Sequence, residues 1–127
     1  MAHAIEQSDA NTKANELLFR RLTVEDAADA HILALGKAPQ LGFDIFIVSA
    51  PTPFRPEDCA ELIADAPSAV ARYFPDFPAL YARKGWTMFS SIDRVYDASR
   101  ARDRLGFVCK TSFADVLAAL RAEEDVA

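Results

Sequence analysis

Metal-ligating and redox side chains are scarce in this chain. It has two cysteines, Cys59 and Cys109, and two histidines, His3 and His31, in 127 residues. A zinc site needs about four ligands in clustered spacing, and neither a CxxC nor a histidine pair occurs, so metal binding is not expected and the thiols read as structural or incidental. Glycine is also sparse. The four, at positions 36, 42, 85 and 106, never fall into the GxxGxxG spacing that presents backbone amides to a pyrophosphate at a helix start. No apolar run approaches the roughly 20 residues that cross a bilayer. The segment "MAHAIEQSDANTK" lacks the charged and apolar zones of a signal peptide, which makes a cytoplasmic location the default expectation. Basic charge is in deficit: 14 Lys and Arg stand against 19 Asp and Glu, a net charge of −5, which argues against a general phosphate-backbone binder.

Apolar side chains are plentiful. A hydrophobic content of 51% with 26% charged residues fits one globular domain of ordinary composition. Residues 1–12 are small and polar and are expected to form a flexible N-terminus. Residues 13–122 form the domain, and 123–127 an acidic tail. Thr23 precedes Asp26 by three positions, a capping-box-like start for a helix over 24–37. On that helix Val24, Ala28, His31 and Leu35 share an apolar face, taken as the inward one with His31 as a satisfied core or interface histidine. Glu25, Asp26, Asp29 and Lys37 share the other face, with Leu33 an apolar residue among them. Pro56 suits a first helical position, with Glu57 and Asp58 complementing the dipole. A helix over 56–65, another from Pro67 through Tyr73, and "PALYARK" stopped by Gly85 follow. A helix over 99–105, capped by Asp97 or Ser99 and ended by Gly106, precedes a final helix from Ser112. The aromatic set Tyr73, Phe74, Phe77, Tyr81, Trp86 and Phe89 reads as a small core.

Two stretches read as strands. Phe43–Val48 is aromatic and β-branched with only Asp44 interrupting, the pattern of an inner parallel strand buried on both faces. "SIDRVYD" is the second. The resulting expectation is a helix-rich α/β fold with two or three short strands. Such a chain cannot supply neighbours for an inner strand, so an open edge, and with it a homodimer or another partner, is expected.

The order of these features resembles the C-terminal, substrate-lobe part of the extended short-chain dehydrogenase/reductases, the NAD-dependent epimerase/dehydratase family. "RRLTVEDAADAHILAL" is similar to that family's Val-Asp-Asp-Val-Ala-like stretch, and "FDIFIVSAPTPF" to the last parallel strand of its nucleotide-binding sheet. "DASRARDRLGF" resembles its Asp-x-Ser-Lys-Ala-x-x-x-Leu-Gly-aromatic ending, with Arg100 in place of lysine, and "TSFADVLAAL" its terminal helix. The likeness covers about residues 11–122. It implies NAD as the family cofactor and a nucleotide-sugar as the ligand class. The same resemblance marks what is missing: the glycine-rich turn, and a Tyr-x-x-x-Lys pair. Tyr73, Tyr81 and Tyr96 are followed four positions on by Phe77, Gly85 and Arg100, and an arginine cannot trade protons. A chain of this kind is expected to be catalytically inactive alone and to bind no cofactor by itself; a self-standing homodimeric interaction module, or a subunit complementing a separate nucleotide-binding chain, are the alternatives.

Two arginines are candidate substrate contacts. The resemblance implies that Arg94, just before Asp97, grips a diphosphate; the alternative is a structural pair with Asp97 or another nearby carboxylate. Arg55 stands at the end of the expected buried strand, where α/β folds place ligands, and is otherwise a loop residue. Arg100, Arg102 and Arg104 read as a solvated helix surface. No catalytic residue is assigned.

Overall fold

A computed structural model describes residues 8–126, with side chains through Glu123. Six helices account for its regular structure: α1 Asp9–Glu16, α2 Val24–Leu41, α3 Cys59–Tyr73, α4 Phe77–Lys84, α5 Ser99–Leu105 and α6 Phe113–Val126. A 3₁₀ turn, Pro56–Asp58, leads into α3. No β-strand occurs among the described residues, so the fold is all-α and the α/β expectation is wrong. The reason is a matter of partners. A strand exists through hydrogen bonds to a neighbouring strand, and no backbone–backbone bond of the described residues reaches positions 43–48.

"SIDRVYD" fails differently. Its backbone is paired in part, Tyr96 N–H to Phe19 O in the turn after α1 and Ile92 N–H to a helix. α3 breaks at Asp65 (φ −158°, ψ 77°), two positions before Pro67, whose ring and missing N–H disrupt a helical turn. The break parts the Leu62 carbonyl from the Ala66 amide, which a regular helix would join. Residues 90–92 fill the gap. Ile92 N–H donates to Leu62 O at 2.9 Å, and Ala66 N–H donates to Ser90 O at 3.1 Å. Asp65 then caps the second half of α3, its Oδ1 accepting the Ser68 N–H at 3.4 Å and its Oδ2 the Ser68 hydroxyl at 2.6 Å. The two helices expected over 56–65 and 67–73 are therefore present as the halves of one kinked element.

The main core lies between α3, α4, α6 and the turn after α1. Leu62, Val70, Leu80, Phe113 and Leu117 are buried there. Aromatic rings meet edge to face, Phe74 on Phe113 at 5.0 Å and Tyr81 on Trp86 at 5.4 Å between centroids, as the expected aromatic core requires. Polar groups inside it are matched. Tyr81 Oη donates to Asn15 Oδ1 at 2.7 Å, while Asn11 and Asn15 both donate to Thr87 O, at 3.0 and 2.9 Å. α1 thus begins within the stretch expected to be frayed and buries Asn11; the rest of that stretch, 1–7, lies outside the described residues. At the other end α6 runs to Val126, so the acidic residues after Ala122 continue a helix.

A second, smaller cluster joins α2 to α5. Ala30, Ala101, Leu105 and Phe107 are buried in it, with Leu33, Phe46 and Val48 packed against them. α2 is rotated roughly half a turn from the expected orientation. Asp26 and Ala30 face inward, Leu33 packs beside them, and Val24, Ile32 and Leu35 are 76%, 68% and 78% exposed. His31 is exposed as well, its Nδ1 2.7 Å from Ala27 O in its own helix, and is not a core histidine.

Candidate functional site

The side of the inner face of α2 is decided by Asp26. Thr23 Oγ1 accepts the Asp26 N–H at 3.2 Å, the expected cap. The Asp26 carboxylate, fully buried, then turns to the loop before α6. It accepts N–H groups from Lys110 at 3.0 Å and Thr111 at 3.1 Å, and the Cys109 thiol at 3.0 Å. Burial pushes this carboxyl up, but the bonds from Cys109, Lys110, Thr111 and Thr23 together outweigh it, and Asp26 titrates below its ordinary range. Burial and the Asp26 carboxylate raise the Cys109 thiol to about 12, leaving it protonated and a poor nucleophile. Asp26 was read as a cap from sequence; its second role, as a latch between distant segments, carries no local signal.

Phe43–Val48 is extended and alternates. Asp44, Phe46 and Val48 turn toward α2 and α5, while Phe43, Ile45 and Ile47 turn outward, 85%, 69% and 52% exposed. Asp44, the single charge in this run, is the anchor. Its side chain is 8% exposed and lies between Arg100 Nη2 at 2.8 Å and Arg104 Nη1 at 2.6 Å. The latter is a charge contact and not an aligned hydrogen bond, since Asp44 Oδ2 has no hydrogen-bond partner. Arg100 also donates to Ile45 O at 3.1 Å and stands 5.6 Å over the Phe46 ring. Arg100 and Arg104, one helical turn apart, therefore hold the segment in place; they are not merely a solvated surface. The signal was present in sequence as a lone acid in an apolar run and two arginines four positions apart.

At the C-terminal end of this segment an open pocket of about 270 Å³ lies against the start of α5. Its polar lining includes Ser49, Thr52, Asp97, Ser99 and Arg102, and its apolar wall Pro51, Phe107 and Val108. Asp97 Oδ1 accepts Ser99 N–H at 2.9 Å just ahead of α5, whose N-cap is Ala98, so neither Asp97 nor Ser99 is the cap expected from sequence. Arg102 Nε donates to Asp103 at 2.9 Å. Ser49 is 2% exposed and its Oγ has no partner. Neither Ser49 nor Arg102 is evident as a site residue in sequence, because they line one pocket only through the packing of α5 on the extended segment.

Arg94 and Arg55 are not in this pocket and are not brought together. Arg94 is exposed and pairs with its neighbour Asp93 at 3.4 Å, not with Asp97. Arg55 is exposed; its backbone N–H donates to Asp58 Oδ2 at 2.8 Å, closing the 3₁₀ turn. Tyr73 Oη donates to the same oxygen at 2.5 Å, and these two bonds hold the Asp58 carboxyl below its usual range. Among the described residues no group of three or more His, Cys, Asp or Glu side chains is placed to hold a metal ion. Among the described residues no helix is long and apolar enough to cross a membrane.

Compared with protein-family models, curated proteins and solved structures, the chain finds no match.

Proposed function

We propose that this chain is a substrate-lobe segment of the NAD-dependent epimerase/dehydratase type, inert by itself and working with a nucleotide-binding sheet on another polypeptide. The observation that carries the reading is the Phe43–Val48 segment. It is held extended by Arg100 and Arg104, has no backbone–backbone partner, and turns Phe43, Ile45 and Ile47 to solvent. An extended segment with no backbone–backbone partner and one bare apolar row is suited to adding itself to the edge of a sheet. The ordered likeness of "RRLTVEDAADAHILAL", "FDIFIVSAPTPF" and "DASRARDRLGF" to that family supports the same assignment. In this reading the sheet brings NAD and the proton-transferring pair, and this chain brings Arg94 toward a nucleotide-sugar diphosphate.

Calorimetry tests it in two steps. The purified chain is expected to bind no NAD. Mixed with the nucleotide-binding part of an epimerase/dehydratase, it is expected to form a complex that Ile45→Asp abolishes. Stoichiometric NAD binding by the chain alone contradicts the reading.

A second reading, a self-standing module that homodimerises, is favoured by one further observation: the bare α2 stripe of Val24, Ile32 and Leu35. At 100° per residue this stripe lies roughly opposite Ala30 and so on the far side of α2 from Phe46 and Val48. Sedimentation equilibrium separates the readings, because only the second expects a dimer that Leu35→Glu dissolves.

A further inference from the structure

We infer that the α2/α5 layer turns on the main core as one body, and that the buried Asp26 carboxylate is the pin that locks it. The inference does not rest on the reading of the chain as part of an epimerase/dehydratase. It starts from how the helices divide. α2 and α5 pack on each other, and neither packs on α1, α3, α4 or α6, which are joined among themselves. The two buried clusters divide the same way. Cys109 is the single side chain among the described residues that packs against both.

The chain passes between the two bodies four times, after α1 and before α3, α5 and α6, and no helix spans a passage. The passages are tied to one another at the core end. Ala50 N–H donates to Arg21 O at 2.8 Å and Tyr96 N–H to Phe19 O at 2.9 Å, with Phe19 and Ala50 buried in the main core. Neither bond reaches α2 or α5. What fixes α2 is Asp26 in its first turn, which takes the Cys109 thiol at 3.0 Å and the Lys110 and Thr111 amides at 3.0 and 3.1 Å, all in the lead-in to α6. A further tie, Lys110 Nζ to Asp29 at 3.0 Å, uses a lysine side chain that is 75% exposed, and such a pair is worth little.

A polar joint parts more readily than a core. Separating apolar surfaces exposes them to water, whereas water takes over each bond that Asp26 gives up. α2 and α5 meanwhile stay together through Ala30, Ala101, Leu105 and Phe107, and Arg100 and Arg104 carry the extended segment with them. The opening is therefore a movement of the whole layer and not its unfolding. The pocket at the start of α5 lies on this hinge. Ser49 and Pro51, Asp97 and Ser99, and Phe107 and Cys109 line it from three of the passages, so a turn of the layer reshapes it.

Spin-label distance measurement on the full chain is the test. Leu35→Cys, at an exposed position on α2, is labelled together with the native, exposed Cys59 on α3. Cys109→Ser is present throughout, and its hydroxyl can still donate to Asp26. With the joint intact one narrow distance distribution is expected. Asp26→Ala is expected to broaden or split it, and Phe46→Ala, which loosens the layer inside and not at the joint, to leave it narrow. Amide exchange on the parent chain is the second arm and decides the matter should Asp26→Ala fail to fold. Lys110 and Thr111 are expected to share one opening constant, about ten-fold or more above that of Leu117 and Val70, with Ala30 slower than either. An Asp26→Ala distribution as narrow as the parent's, or Lys110 and Thr111 protected as strongly as Leu117, overturns the inference. So does exchange of Ala30 together with Lys110, which would make the opening an unfolding of α2.

Discussion

The α3/α4/α6 core and the α2/α5 layer are built from similar residues and finished to different degrees. In the core, apolar side chains are enclosed, rings meet edge to face, and Asn11, Asn15 and Tyr81 are paired with one another or with Thr87. In the layer, the buried apolar residues are only Ala30, Ala101, Leu105 and Phe107, and α2 and the segment after it are bare on their outer sides. Of the nine large apolar residues exposed among those described, six lie between Val24 and Ile47. Scattered exposed apolar residues need no explanation, but here they are concentrated on one helix and the segment after it. The difference teaches that hydrophobic pattern alone does not say which surface is buried. α2 turns its apolar stripe outward because Asp26 has a specific, fully satisfied place inside.

The comparison is broken most forcefully by one substitution made in each region. Phe113→Ala in the core is expected to cost about 3–5 kcal/mol, and Phe46→Ala in the layer about 1–2 kcal/mol, because a half-exposed ring leaves little cavity behind; urea denaturation measures both. Similar losses in the two regions would make the layer a finished core. Asp26→Ala is expected to cost about 2–4 kcal/mol, since it strands the Lys110 and Thr111 amides. Asp26 also predicts a pH dependence. Its folded pKa lies below the unfolded value of about 3.9. Its contribution is therefore complete above that unfolded value and is lost as pH falls through the lower folded one. Asp26→Asn is expected to flatten the acid limb of stability against pH.

Smaller effects sharpen the picture. Ile45→Thr on the outward row is expected to change stability by less than about 0.5 kcal/mol, as for any surface site without a partner. The cysteines distinguish the regions chemically. Cys59 is exposed, whereas Cys109 is partly buried with its thiol held protonated, so iodoacetamide at neutral pH is expected to label Cys59 and spare Cys109 in the native chain. Asp26→Asn, which removes the second-largest cause that raises the thiol and leaves its burial, is expected to speed labelling of Cys109.

Much of this was legible from residues alone. Thr23, Gly85 and Gly106 mark helix ends by local chemistry, and the glycines adopt the left-handed conformation at φ 70° that other residues avoid. The aromatic core followed from composition and spacing. What sequence missed depends on contacts between distant segments. Residues 90–92 look like a strand and are extended, yet they mend the break in α3, and nothing near them in sequence announces Leu62 and Ala66. Phe43–Val48 has the composition of an inner strand but lacks the neighbour that would make it one. At the candidate sites, Arg94 and Arg55 were singled out by position, and each has a local role; Ser49 and Arg102 became visible only once α5 was packed against the segment.

Hydrogen exchange, followed by NMR on the chain at concentrations where it sediments as a monomer, tests the unfinished layer most directly. The amides of Leu117 and Val70 should exchange only at the rate of global unfolding, while those of Phe46 and Val48 should exchange close to the rate of an unprotected peptide. Protection of Phe46 and Val48 equal to that of Leu117 would mean that the chain already covers its own extended segment, and the case for a missing partner would fail.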